Sequence, residues 1–219
     1  LLKEQVFRFS SFWCSLIEMA EISRFLKGVR PMFKTFLTAS AFSLGLVGAA
    51  SATTIFTEDF EGDVPGAPST LLNWDVVSGT IDVIPIGGLY NWYDGNGQYV
   101  DMNGSPGAGM IETTNALGLI LGQTYTLTFD YGNNQNSNNV EQLTFGFGDQ
   151  IWVIDIAGAI PDFLTATYTF VFTGSSDHLF FADTGTTTGD NGGPIIDNIS
   201  VSAVPVPAAG FLLFGALGG

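Results

Sequence analysis

Between residues 53 and 203 apolar side chains recur at every second position, and that periodicity confines the segment to extended strands burying one face. Across 124–131, Tyr125, Leu127, Phe129 and Tyr131 take one face while Thr124, Thr126, Thr128 and Asp130 take the other. Ala166, Tyr168, Phe170 and Phe172 repeat the device. Runs of this kind, bounded by Gly, Asn, Asp and Pro, fall at 54–60, 72–77, 80–86, 98–103, 109–114, 124–131, 141–148, 150–156, 165–173, 178–183 and 195–202. Almost nothing in the segment has helical period. Half-buried strands belong to antiparallel sheets. About ten short ones over roughly 150 residues predict a single all-β domain, an antiparallel β-sandwich of jelly-roll type, without internal linker or repeat. The Asn-rich stretch 133–139 reads as a polar loop between two strands.

Charge narrows the functions open to such a domain. The 219-residue chain has a formal net charge of -15, and all six basic residues (Lys3, Arg8, Arg24, Lys27, Arg30, Lys34) lie in its first 34 positions. From residue 35 onward the carboxylates meet no side-chain cation except His178 when protonated. Nucleic-acid binding is excluded, because phosphate neutralisation needs Lys and Arg, and a P-loop is excluded after position 34 for want of its lysine. With 46% hydrophobic and 13% aromatic residues, the chain nonetheless has apolar material for a sizeable core and is no disordered acidic tail. A single cysteine, Cys14, rules out an internal disulfide.

Both ends read as addresses. From Met32 a short cationic start (Lys34), an apolar run through Val47 and small residues ending Ala50-Ser51-Ala52 form a secretory signal peptide, 32–52, with cleavage expected after Ala52. Residues 1–31 would precede the true start, as upstream sequence or as an unusual leader. At the other end, 204–219 pairs a Val-Pro-Val-Pro hinge with an apolar run too short to span a bilayer. This tail resembles the PEP-CTERM class of sorting signals in its Val-Pro-Leu-Pro-Ala variant, matched by Val204, Pro205, Pro207, Ala208 and Ala209. The resemblance implies a membrane helix and basic cluster beyond the hinge, here expected to be truncated, and processing by a protease of exosortase type. A proline-containing linker is the alternative. Signal and tail together predict an exported bacterial protein at the cell surface or outside it, anchored to the membrane through its C-terminus.

Four further motifs, in order, are Val76-Val77-Ser78-Gly79-Thr80-Ile81-Asp82, Tyr99-Val100-Asp101-Met102-Asn103-Gly104, Gly122-Gln123-Thr124-Tyr125-Thr126-Leu127-Thr128-Phe129 and Gly193-Pro194-Ile195-Ile196-Asp197-Asn198-Ile199-Ser200-Val201. They resemble the choice-of-anchor C family across nearly all of 55–202. That family is similar to a plant cell-wall domain of unknown function and to galactose-binding-like jelly rolls. The resemblance implies a secreted, surface-anchored, non-catalytic protein that contacts extracellular polysaccharide.

Asp197 shares its predicted strand face with Ile195, Ile199 and Val201, which turns a carboxylate inward where no Lys or Arg can pair it. Backbone N–H donors, a raised pKa or a bound cation are the remedies. Calcium suits carboxylates and carbonyls. Galactose-binding-like folds commonly place a structural calcium between first and last strands, which implies Glu61 and Asp197 as ligands, completed by Glu58, Asp59 or Asp63 and carbonyls. Satisfaction by turn N–H groups is the even alternative. Asp183, Gly185, Gly189 and Asp190 lie near one another without EF-hand spacing. Asp82 and Asp101 pose the same question: acceptors for turn amides, or the acid and base of a glycosidase. His178, beside Phe180 and Phe181, reads as structural. For ligand contact the best stretch is 89–97, where Tyr90, Trp92, Tyr93 and Asp94 set aromatic faces for stacking on sugar rings beside polar groups for hydroxyls. The alternative is that Trp92 and its neighbours cap the core, as Trp74 and Trp152 are expected to help build it. A polysaccharide binder is therefore the expected function, with a purely structural surface protein and then a glycosidase as alternatives.

Overall fold

The computed structural model describes residues 51–67, 69–93, 96–135, 140–158, 160–185 and 192–205. The leader and most of the signal segment, together with Asp94, Asp190 and Pro207, lie outside the described residues. The described residues contain no helix; their strands are β1 (Thr53–Glu58), β2 (Trp74–Ser78), β3 (Asp82–Ile84), β4 (Tyr99–Asp101), β5 (Asn103–Gly104), β6 (Gly107–Ala108), β7 (Met110–Thr113), β8 (Thr124–Asn133), β9 (Val140–Phe147), β10 (Gln150–Ala157), β11 (Leu164–Val171), β12 (Leu179–Asp183) and β13 (Pro194–Ala203). One sheet runs β11-β8-β13-β4-β3, with β1 added to the far half of β13; the second runs β10-β9-β12-β7-β2. Every pairing is antiparallel.

The alternation of β8 puts Tyr125, Leu127 and Phe129 in the main core. There they meet Leu143, Phe145 and Phe147 of β9 and Leu179 and Phe181 of β12 from the other layer. Phe129 sits edge-to-face on Phe145 (centroids 4.8 Å, 72°) and on Phe181 (5.0 Å, 80°), the arrangement that ring quadrupoles favour. Full burial of each such ring contributes about 2–3 kcal/mol. The result is an antiparallel β-sandwich of jelly-roll type, its layers joined by aromatic interdigitation. Trp74 is buried in this core, and half-buried Trp152 stacks on Phe145 at 5.9 Å. His178 places Nδ1 2.6 Å from the Thr113 carbonyl. A carbonyl only accepts, so Nδ1 carries the proton and the ring clips β7 to β12.

Two features depart from the sequence reading. Residues 103–108 form the small β5–β6 ladder where one strand was expected to end. More consequential is Asp197. Its predicted company with Ile199 and Val201 is broken by a bulge: Asp197 pairs with Asp130 and Ser200 with Thr128, so two residues of β13 oppose Phe129. Asn198 takes the left-handed conformation that this requires, at φ 49°. Ile196, Ile199 and Val201 therefore face the main core, while Ile195 belongs to a second apolar cluster with Ile84, Tyr93 and Tyr99. That cluster lies on the outer face of the first sheet. Val83 and Val100 point to the main core, so their neighbours Asp82 and Ile84, and Tyr99 and Asp101, point away from it.

Candidate functional site

The outer face of this sheet carries a cavity of about 570 Å³. Asp82 and Ile84 of β3, Asp101 of β4, Asn134 just beyond β8, and Tyr90 and Trp92 from the β3–β4 connection are among the residues that line it. Tyr90 is 57% exposed and Trp92 half-buried, with ring centroids 5.9 Å apart. Trp92 also packs on the second apolar cluster, so it partly covers that cluster while facing the cavity.

Two buried phenols hold the loop that carries these rings. Tyr99 Oη accepts from Trp92 N at 2.8 Å and donates to the Tyr90 carbonyl at 3.0 Å, bracketing both aromatic positions. Burial pushes this phenol up to about 12, which keeps its proton for that bond. Tyr93, expected to touch ligand, is instead buried: its ring stacks on Phe163 at 4.3 Å, and its hydroxyl donates to the Asn133 carbonyl and accepts from Asn133 N. Tyr93 lies directly over Gly132, where any Cβ would run into the phenol oxygen. Glycine at 132 is thus what lets the connection close down on the sheet. Tyr99 escaped the sequence reading, although the alternation that turns Val100 inward also puts Tyr99 and Asp101 on one face.

Asp82 and Asp101 are direct cross-strand partners, so their carboxyl groups stand side by side on one wall rather than across a cleft. Asp101 accepts from Asn103 N and from Asn134 Nδ2, each at 2.9 Å. Burial pushes its carboxyl well above the ordinary carboxylate range, against the pull of these two bonds, and the charges of Asp82 and Asp183 push the same way. Asp82 is more open; among the described residues its hydrogen bond is a long one, 3.4 Å, from Ser105 N. Burial raises this carboxyl too. Of the two roles considered from sequence, acceptor for turn amides is the one occupied.

At the joint of β1 and β13 polar groups are crowded. Glu58 accepts from Phe60 N (3.0 Å), Asn73 Nδ2 (2.9 Å) and Trp74 Nε1 (3.3 Å). The Gln98 side-chain amide donates toward the carbonyls of Phe60, Glu61 and Asp63 at 3.1, 3.1 and 3.4 Å, and Gln98 N donates to Glu61 Oε1 at 2.7 Å. Asp197, 1% exposed, accepts from Asn198 N at 2.7 Å and from Asn198 Nδ2 at 3.2 Å. Burial, reinforced by Asp130, Glu61 and Asp59, pushes its carboxyl up to about 8. A shallow depression of about 280 Å³ beside it is lined by Glu58, Asp59 and Asn198. Among the described residues no three His, Cys, Asp or Glu side chains come together to hold a metal ion. What the joint offers a hard cation is therefore mainly carbonyl oxygen, with Glu61 alongside and the Gln98 amide already in place.

No protein-family model matches the chain. Nor does any curated protein match its sequence. Among solved structures, the CBM22-1 xylan-binding domain of Paenibacillus barcinonensis Xyn10C aligns at TM-score 0.46 with 10% identity, over 73% of this chain and 99% of that one. A cleaved adhesin domain of Lys-gingipain from Porphyromonas gingivalis aligns at TM-score 0.48 and 14% identity, over 70% and 99%. CBM35 from Paenibacillus barcinonensis aligns at 0.40 and 20%, over 68% and 99%.

Proposed function

We propose that the domain is a non-catalytic module that binds extracellular polysaccharide in the cavity on the outer face of its first sheet. One observation carries the reading: an open cavity of about 570 Å³ in which the Tyr90 and Trp92 rings stand with carboxyl, amide and hydroxyl groups. Aromatic faces match the apolar faces of pyranose rings, and the polar groups match their hydroxyls. Tyr99 and Tyr93 hold the aromatic loop beforehand, which lowers the ordering cost of binding. The test is a pull-down of the purified protein on insoluble and matrix polysaccharides, with Trp92→Ala and Tyr90→Ala as controls. Retention that both substitutions abolish supports the module; retention indifferent to both refutes this site.

Export, surface location and anchoring belong to the same proposal. Their support is the signal pattern ending at Ala52, one residue before β1 begins, and the Pro205 and Pro207 hinge that follows β13. An exosortase-type protease would act on the tail, and membrane attachment would follow from the segment that the hinge introduces. A structural calcium ion at the β1–β13 joint completes the proposal. The carbonyls that now face Gln98, with Glu61 and Asp197 nearby, would hold it, and the ion would offset carboxylates that no Lys or Arg pairs among the described residues.

A further inference from the structure

We propose that the glycan carries protonated amines, and that the Asp82 carboxylate receives one of them inside the cavity. This rests on the polysaccharide reading above and adds the charge class of the ligand. Two independent features meet in one place. The first is the cavity with its exposed aromatic wall, which fits a sugar ring of any charge. The second is the pair formed by Asp82 and Asp101, cross-strand partners opening on the same cavity.

The charge of Asp82 opposes ionisation of its buried cross-strand partner, so the pair favours a state with one proton between them. Asp101, the buried member of the pair, is the natural holder of that proton, because its burial outweighs the bonds from Asn103 N and Asn134 Nδ2 that favour its charge. Asp82 then carries the charge, with only Ser105 N, at 3.4 Å, to receive it among the described residues. A ligand that covers the cavity strips water from this carboxylate, at a cost that only a new donor or cation offsets. Among the described residues no cation is at hand to do so. Every Lys and Arg lies at or before position 34, and the lone His178 is clipped to Thr113 in the other sheet.

The ligand must therefore bring the compensating group. An ammonium does so with a charge-assisted hydrogen bond, a neutral hydroxyl does so less well, and a uronate adds repulsion. The expected order of affinity is free hexosamine over neutral or N-acetylated sugar over uronic acid, and salt weakens the first.

The test titrates the protein with a glucosamine tetramer, its N-acetylated form, a neutral glucose tetramer and a galacturonate tetramer. Wild type, Asp82→Asn, Trp92→Ala and Asp155→Asn are compared, each checked for folding by its thermal melt. Asp155 is exposed on β10 in the other sheet, so its substitution makes the same change in net charge away from the cavity. The proposal expects the free amine to bind about ten- to a hundredfold more tightly than its N-acetylated form. Asp82→Asn should erase that preference, Asp155→Asn should keep it, and Trp92→Ala should weaken all ligands. Equal affinity for free and acetylated amines, a preference for galacturonate, or equal loss in both Asp→Asn variants overturns the amine assignment and leaves the polysaccharide reading standing. Binding of no sugar by folded protein overturns both.

Discussion

Asp197 makes the stability of this domain depend on pH in the sense opposite to that of a typical salt-bridged acid. In the native state burial holds its carboxyl at about 8, against an ordinary value of 3.8. Between these limits the folded chain keeps a proton that the unfolded chain releases. The slope of unfolding free energy with pH is therefore negative, about 1.4 kcal/mol lost per pH unit for one such group. The contribution is fully present below about pH 4 and falls as pH rises toward 8. Asp197→Asn keeps the shape and an acceptor for Asn198 N but cannot ionise. At about 2–4 °C per kcal/mol for a domain near this size, the wild-type melting temperature should fall by about 3–6 °C more per pH unit than that of the variant between pH 5 and 7. The assay is a set of thermal melts at constant ionic strength with chelator present. Asp101 has the same sign in both proteins, so the difference between the curves isolates Asp197. Parallel curves, or a wild type that gains stability as pH rises, would refute the reasoning.

Adding calcium without chelator should raise the melting temperature at pH 7.5, and Asp197→Ala should remove the gain; an identical melt with and without chelator rules the ion out. Gly132→Ala forces Tyr93 off the sheet and should cost about 1–3 kcal/mol in urea unfolding while weakening glycan binding. A variant with unchanged midpoint would show that the connection does not depend on this contact. Tyr99→Phe leaves the ring but deprives Trp92 N and the Tyr90 carbonyl of their partner. About 1–2 kcal/mol of stability should go, with glycan affinity falling further than for Phe substitution at exposed Tyr90; equal effects would deny Tyr99 its positioning role.

The alternation that exposes the strands is legible because burial acts on one face at a time, and β8 follows it residue by residue from Thr124 to Asp130, as β11 does from Thr165 to Val171. It fails at β13, since a bulge is a local backbone event set by Asn198 and changes which face Asp197 shares without altering the run of residue types. The aromatic stretch at 90–93 was visible as chemistry, but not the division of labour within it. Trp92 and Tyr90 reach the cavity while Tyr93 turns under, because Gly132, distant in sequence, leaves room for its ring. Gln98 and Asn134 were invisible for the same reason, since each acts through a partner far away in sequence, whereas Tyr99 acts on a loop that only the folded chain brings back over its ring. Asp82 and Asp101 were named together as turn acceptors or as acid and base, but only the β3–β4 register sets them side by side.

The proposed sugar site lies on the outer face of the first sheet. Backbone amide shifts followed by NMR while a bound oligosaccharide is titrated test it most directly. The largest changes should cluster at 66–67, 82–84, 90–92, 101 and 105, with the tryptophan indole signal of Trp92 moving and that of Trp74 still. Changes confined to the second sheet, or spread evenly over the domain, would contradict it.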